Sequence, residues 1–417
     1  MNEEFEFIKE TKKNKPFNRK KWFLKLLSTA FFALVFGVIA GIVMGLIVPY
    51  VTEQTMPEET EPRFEFVADD EQPLDLEPVE ETPKPDSSMV PAEEIIVENP
   101  SAEGEEPAEP EPTPLENYIN VQNELFNIGG SLDSSIVSVQ GNFGIIIAKS
   151  NTNLLILTEK KNIEESDEIE VSFADETISN ASLVRYDAVS GIAIIKIALS
   201  DLSRSTKERI TVAELGNSAI IKRGDVVLAV GSPNGVSGTV LTGSITSVRN
   251  TVSVYDFNYP TFTTDMMYSK DGQGAVVNTD GQIVGFILES VIPESNTLSA
   301  VSITQLKGVI ELLTNDAPVP YLGMKVSTVT VSMSEKYDIP PGVYVNETAW
   351  GSPAVAAGIQ SGDVITYIND ITTSTVYDYQ RVVRSLSENE KVKIVYQRAS
   401  GKEYITLSCE LTAGVLE

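Results

Sequence analysis

Histidine is missing from all 417 residues. That absence removes the commonest general base near neutral pH and the commonest metal ligand, and it excludes every Ser-His-Asp or Cys-His mechanism whatever the fold. No metal and no cofactor is expected. Cysteine occurs once, as Cys409, so no intramolecular disulfide can form and a disulfide-stapled fold is excluded. Positive charge is scarce: 31 Lys and Arg stand against 60 Asp and Glu, a formal charge of −29. Such an acidic body would repel a phosphate backbone, which argues against nucleic acid as a partner.

The charge is unevenly placed. Residues 1–25 carry +4 and residues 52–116 carry −20. Between them, no charged residue occurs from Leu26 to Val48, a run of roughly 34 Å as a helix, enough to cross the hydrocarbon core of a bilayer. The cluster Lys12, Lys13, Lys15, Arg19, Lys20, Lys21 and Lys25 precedes it, and the next basic residue is Arg63. The positive-inside rule then reads 1–21 as a cytoplasmic tail, 22–50 as a single transmembrane signal anchor, and everything beyond as extracytoplasmic. The run is too long for a cleaved signal peptide, and its exit, Ile47-Val48-Pro49-Tyr50, offers no small-residue cleavage site. Residues 51–115, rich in Glu, Pro, Thr and Ser, lack the apolar surface to offset the entropy of ordering and read as a disordered acidic linker.

From residue 116 to 316 short apolar runs alternate with turn signals. Gly144-Ile145-Ile146-Ile147-Ala148, Leu154-Leu155-Ile156-Leu157, Ile192-Ala193-Ile194-Ile195, Val226-Val227-Leu228-Ala229-Val230 and Ile283-Val284-Gly285-Phe286-Ile287 are the clearest. Many short strands without regular helix between them predict an all-β barrel or sandwich. The wording of these runs adds more. Ile156-Leu157-Thr158-Glu159-Lys160-Lys161, Ser190-Gly191-Ile192-Ala193-Ile194-Ile195-Lys196-Ile197, Gly224-Asp225-Val226-Val227-Leu228-Ala229-Val230-Gly231-Ser232-Pro233-Asn234-Gly235 and Val277-Asn278-Thr279-Asp280-Gly281-Gln282-Ile283-Val284-Gly285 follow one another in order. Together they resemble the trypsin-like domain of the HtrA/Deg family. The resemblance implies a double six-stranded β-barrel, and a homotrimer formed through this domain.

The departures from the family pattern fall on its catalytic triad. Lys161 stands at the histidine position and Gly191 at the aspartate position. The nucleophile loop, Lys270-Asp271-Gly272-Gln273-Gly274-Ala275-Val276, is one residue short: counting back from Asn278 puts Gly272 at the serine, and counting forward from Asp265 puts Gln273 there. Neither is a nucleophile, so all three triad roles are vacant and no acyl-enzyme can form. A relocated Ser269–Lys161 dyad can be drawn, but an extended chain sets the hydroxyl roughly 10 Å away, beyond hydrogen-bond reach. Lys161 reads instead as a solvated lysine beside Lys160, and Asp187, four residues before Gly191, as a turn or surface position.

Residues 317–417 resemble an α+β PDZ domain. Tyr321-Leu322-Gly323-Met324 matches the carboxylate-binding loop, Ser352-Pro353-Ala354-Val355-Ala356-Ala357-Gly358-Ile359 the short helix, and Gly362-Asp363-Val364-Ile365-Thr366-Tyr367-Ile368-Asn369 the strand after it. Pro353 suits a first helical turn and Gly358 the left-handed residue past the last. A second helix is predicted over 375–387, with Tyr379, Val382, Val383 and Leu386 on its apolar side, and strands over 392–395 and 404–407. The resemblance assigns peptide binding to Tyr321, Leu322, Gly323 and Met324, with Tyr379 and Val383 lining the groove or packing in the core.

The fold expected is therefore mainly β: a transmembrane helix, an acidic linker, a trypsin-like barrel pair and a PDZ domain. The function expected is that of an inactive protease homologue. It would bind protein C-termini or unfolded segments outside the membrane, as scaffold, sensor or chaperone-like factor in envelope protein quality control. The alternatives are a regulator forming mixed oligomers with an active relative, and an endopeptidase with a relocated site.

Overall fold

The structure, a computed structural model, describes residues 63–67, 69, 112–163, 168–292, 296–401 and 403–416, with isolated positions at 20, 27, 31, 34 and 35. The chain divides into units of residues 1–62 and 63–417. Among the described residues no helix is long and apolar enough to cross a membrane. The anchor expected over 22–50 lies almost wholly outside those residues.

The second unit enters its first barrel through helix α1 (Pro114–Ser131). Thr113 caps it: its hydroxyl accepts from the Glu116 amide while the Glu116 carboxylate accepts from the Thr113 amide, and Pro114 occupies the first helical position. Strands β1 (Ile136–Val139), β2 (Asn142–Lys149), β3 (Asn153–Glu159), β4 (Ile169–Ser172), β5 (Ile178–Tyr186) and β6 (Ile192–Ala198) close in the order β1-β2-β3-β6-β5-β4. A short helix, α2 (Arg204–Arg209), leads to the second barrel of β7 (Val226–Ser232), β8 (Thr239–Ser253), β9 (Asn258–Met267), β10 (Gln273–Val277), β11 (Ile283–Ile287) and β12 (Thr297–Ser302). This one closes as β10-β11-β12-β9-β8-β7. Helix α3 (Ile303–Thr314) follows at once.

The unbroken apolar runs have a structural cause. Successive strand residues point to opposite faces, and here both faces are buried. Along β3, Leu154 and Ile156 fill the first barrel, while Leu155 and Leu157 enter a core shared by the two barrels. Along β11, Val284 and Ile287 fill the second barrel, while Ile283 and Phe286 face the shared core. Three cores thus share two barrels, and α3 seals the shared one with Ile303, Leu306, Val309, Ile310 and Leu313.

The C-terminal domain comprises β13 (Pro320–Tyr321), β14 (Met324–Thr328), α4 (Val331–Tyr337), β15 (Val343–Thr348), α5 (Pro353–Ala356), β16 (Val364–Ile368), β17 (Ile371–Thr372), α6 (Val376–Arg384), β18 (Lys391–Ser400), β19 (Glu403–Thr412) and β20 (Gly414–Val415). Its main sheet runs β14-β15-β16-β18-β19, with β17 on β16, so β14 is an edge strand. Gly358 takes the left-handed conformation just beyond α5, at φ 84°. The helix expected over 375–387 is shorter: Thr375 and Asp378 cap α6 at one end and Ser385 ends it at the other. Strands β18 and β19 extend well past the expected spans, as one continuous hairpin ladder.

Two expectations need correction. Helices α1, α2 and α3 flank and join the barrels, so the central region is not free of helix. And the linker is not uniformly unstructured. Residues 113–115 already belong to the cap and first turn of α1. Upstream, the Phe64 amide donates to Asn315 Oδ1 (2.9 Å), Asn315 Nδ2 donates to the Phe64 carbonyl (2.8 Å), and the Phe66 amide donates to Glu311 (3.3 Å). Asp69 forms a buried ion pair with Lys307 (2.8 Å) and accepts from the Thr304 hydroxyl (2.6 Å). Both phenylalanines pack against the shared core beside α3. The acidic, proline-rich composition of the whole stretch hides this short apolar pair.

Candidate functional site

The cleft between the barrels carries the positions at which the family pattern places its triad. Lys161 lies in a one-turn 3-10 helix (Lys160–Asn162) directly after β3. The loop before β6 comes against it, with the Lys160 amide donating to the Gly191 carbonyl (2.7 Å). Gly191 has φ 75°, and a Cβ there would stand 2.6 Å from Ser290 Oγ. No ordinary side chain fits that position without local movement.

Lys161 is not free in solvent. Its ammonium pairs with Glu289 and stands 3.5 Å from Glu159 Oε1. Glu159 is buried, and neither of its carboxyl oxygens has a hydrogen-bond partner among the described residues. Burial pushes its carboxyl above the usual range, against the pull of the Lys161 charge. Asp187 is buried as well and forms the turn that holds Gly191, accepting from the Val189 (3.2 Å) and Ser190 (2.9 Å) amides. It is a turn residue as expected, though not a surface one, and burial raises its carboxyl too.

On the second barrel, Gly272 turns no side-chain position toward the cleft. A Cβ there would overlap the Pro233 carbonyl oxygen and stand 2.8 Å from that of Ser269. Gln273 is the residue that enters the cleft. Its Nε2 donates to Asn162 Oδ1 and its Oε1 accepts from Asn162 Nδ2, both at 2.9 Å, while the Phe143 amide also donates to Oε1 (3.2 Å). A reciprocal buried amide pair thus bridges the turn of Lys161 to the loop of Gln273. Ser269 is held elsewhere in that loop, its amide on the Pro233 carbonyl and its carbonyl on the Gly272 amide.

The burial of Glu159 yields a prediction. Its folded-state carboxyl titrates above the unfolded one, so folding favours the protonated form. The associated stability is fully present below the unfolded value and is lost as pH rises through the folded one. Glu159→Gln is therefore expected to stabilise the chain at pH 7.5 by about 1 kcal/mol, and the gain should close at pH 4. Urea midpoints at the two values measure this; a variant weaker than wild type at pH 7.5 would mean that the Lys161 attraction outweighs burial.

The second candidate lies on the C-terminal domain. The amides of Leu322 (2.8 Å) and Gly323 (2.7 Å) donate to one carboxylate oxygen of Asp256, and that of Met324 (3.1 Å) to the other, which also takes the Tyr379 hydroxyl at 2.5 Å. Asp256 sits at the tip of the β8–β9 hairpin, at φ 64°, and is fully buried. Burial raises its carboxyl, opposed by the Tyr379 hydroxyl and the three amides. Burial, with Asp256 nearby, also pushes the Tyr321 hydroxyl up to about 12. The loop expected to capture a carboxylate therefore does hold one, and Tyr379 joins it. Val383 is fully buried in the core of this domain with Leu322, Ile365 and Val392. The groove role expected for Val383 gives way to core packing, the other of its two readings.

Sequence reasoning did not find Asn162, Gln273's partner, although it adjoins Lys161, nor Asp256. The latter carries no local signal, since it lies 66 residues from the loop that it meets.

Comparison with known proteins agrees with the fold. Residues 143–286 match the model of a trypsin-like peptidase domain and residues 320–410 that of a PDZ domain. The serine endoprotease DegS of Haemophilus influenzae is 28% identical over 292 residues, covering 67% of this chain and 80% of DegS. The serine protease Do-like HtrB of Bacillus subtilis is 26% identical over 331 residues, covering 74% of this chain and 69% of HtrB. Among solved structures, the HtrA-type protease AlgW with a tripeptide superposes with a TM-score of 0.51 at 22% identity, over 70% of this chain and 97% of AlgW.

Proposed function

We propose, on the premise that the chain belongs to the HtrA family, that it is a pseudoprotease which binds the C-termini of proteins or unfolded segments through its PDZ domain. The observation that carries this reading is the convergence of three backbone amides and the Tyr379 hydroxyl on a single carboxylate. Such a cradle of donors fits the end of a polypeptide chain, while the edge of β14 away from β15 can pair with the residues before it. The barrels supply the scaffold. In the cleft, an amide pair and an ion pair occupy the ground where acyl transfer needs a nucleophile, a base and its orienting acid. The uncharged run from Leu26 to Val48 and the basic cluster before it support a membrane anchor with the domains outside.

The test is hydrolysis. Purified full chain, at high concentration and beside an active HtrA protease, is incubated with unfolded casein for a day. No cleavage above a buffer control is expected. Cleavage that disappears in Ser269→Ala or Lys161→Ala would overturn the reading and place a relocated catalytic site in the cleft.

A further inference from the structure

The PDZ carboxylate loop of this chain is already occupied, by a side chain of its own second barrel. The tip of the β8–β9 hairpin, between the paired residues Ser253 and Asn258, carries Asp256 into the loop. Every donor that the proposed function assigns to a peptide terminus is spent on this aspartate. The likeness extends to the backbone. The Asp256 amide donates to the Met324 carbonyl (2.7 Å), and Asn258 Nδ2 to the Val326 carbonyl (3.1 Å). Those two carbonyls belong to β14 and lie on its unpaired edge, where an added peptide strand would find its first partners.

The contact is built rather than incidental. An aspartate that buries its carboxylate without partners incurs several kcal/mol; here four donors meet it. Left-handed backbone is unusual for any residue but glycine, and Asp tolerates it better than most. It lets the side chain leave the turn along the direction of the loop. Neighbouring contacts fix the same geometry: the Tyr255 hydroxyl donates to Glu347 (2.8 Å), and Gln380 Nε2 to the Asn258 carbonyl (3.4 Å). Both lie across the same interface, one on β15 and one on α6.

We propose that Asp256 is an internal ligand of the PDZ loop, and that a free C-terminal carboxylate binds only by displacing it, which frees the PDZ domain from the second barrel. This rests on the peptide-binding reading and adds its regulation. Apparent affinity then equals intrinsic affinity reduced by the fraction of molecules in which the hairpin has withdrawn. A ligand lacking the carboxylate has nothing to offer in exchange for the lost aspartate and cannot open the interface.

The experiment uses the full chain and its Asp256→Ala and Asp256→Asn variants. Two probes are titrated by fluorescence anisotropy: a labelled random heptapeptide pool with free C-terminal carboxylates, and the same pool amidated. In parallel, hydrogen exchange is followed at residues 321–325. Asp256→Ala is expected to bind the free-carboxylate pool at least tenfold more tightly than wild type, with no gain for the amidated pool. Its amides at 322–324 should exchange faster, and 100 mM acetate should slow them again by filling the vacated cradle. Asp256→Asn, which keeps the shape but not the charge, should fall between and serves if the alanine variant does not fold. Equal affinity of wild type and both variants for the free-carboxylate pool would overturn the proposal, as would unchanged exchange at 322–324. Faster exchange with binding of neither pool would overturn the peptide-binding reading itself, and the competition with it.

Discussion

Placing His, Asp and Ser at the positions that the resemblance gives to a triad is expected to destabilise this chain rather than produce a protease. The variant Lys161→His, Gly191→Asp, Gly272→Ser places the three side chains at positions that the sequence pattern offers, Gly272 being the one reached by counting back from Asn278. Two of those positions reject a Cβ. Gly191 lies in the left-handed region with Ser290 Oγ 2.6 Å from where the new carbon must go, and a side chain there costs about 1–2 kcal/mol in conformation before any clash. At Gly272 the obstacles are two backbone carbonyls, Pro233 and Ser269, which cannot rotate aside as a flexible side chain can. Overpacking of that kind costs typically about 1–3 kcal/mol. Lys161→His also strips Glu289 and buried Glu159 of their cation. The sum is about 4 kcal/mol, a fall in Tm on the order of 10 °C for a domain of this size. Calorimetry reads it directly. A triple variant that melts within about 2 °C of wild type and cuts casein would show that the cleft has kept its shape and lost only its side chains.

Asp69→Ala is expected to release residues 63–69 from α3. The pair that it breaks is nearly fully buried on both sides: Lys307 and Asp69 side chains are each 7% exposed. Removing one member of such a pair leaves an uncompensated charge, at a cost of about 3–5 kcal/mol when nothing can move. Here something can move. Lys307 is fixed on a helix, but the segment covering it can lift away and let water reach the ammonium. The loss is therefore capped by the free energy that docks the segment, and undocking is the observable result. Chymotrypsin should cut after Phe64 and Phe66 at least tenfold faster in Asp69→Ala than in wild type. The double variant Asp69→Leu, Lys307→Met, which fills the same space without charge, should restore protection. Equal cutting rates in wild type and Asp69→Ala would mean that Phe64, Phe66 and Asn315 hold the segment without the ion pair.

Much of the architecture was legible in the sequence, because the motif wording marks its strands in order. Segments such as Ile192–Ile197 and Val226–Val230 mark strands of known order in a known family. Their periodicity alone says less: with both faces of β3, β6, β7 and β11 buried, the period-two alternation that usually marks a strand is erased. The residues at the three positions that the resemblance gives to a triad were legible too, except at the nucleophile loop. There the two alignments disagreed by one residue, and only the direction of each Cβ separates Gln273, which faces the cleft, from Gly272, which faces backbone. What the sequence could not reveal are contacts between distant segments of unremarkable composition. Asp256 is one acidic residue of 60, and Phe64 and Phe66 sit in a stretch whose composition argues for no structure at all. In both cases the meaning comes from the surface met in space, α3 for one and the PDZ loop for the other.

The docked segment also sets how force would travel through the molecule. The first described residues of the second unit, Phe64, Phe66 and Asp69, dock on α3 and not on the first strand of a barrel. A pull on Arg63 would act first on the Lys307–Asp69 pair and the Asn315 clasp, before the barrels' own hydrogen-bond ladders. On another side, α3 receives the Arg384 guanidinium on its Gln305 carbonyl (3.4 Å), and Arg384 closes α6, the helix that presents Tyr379 to Asp256. One helix is thus the common abutment for the docked segment at Phe64 to Asp69 and for α6, so both bear on the same twelve residues.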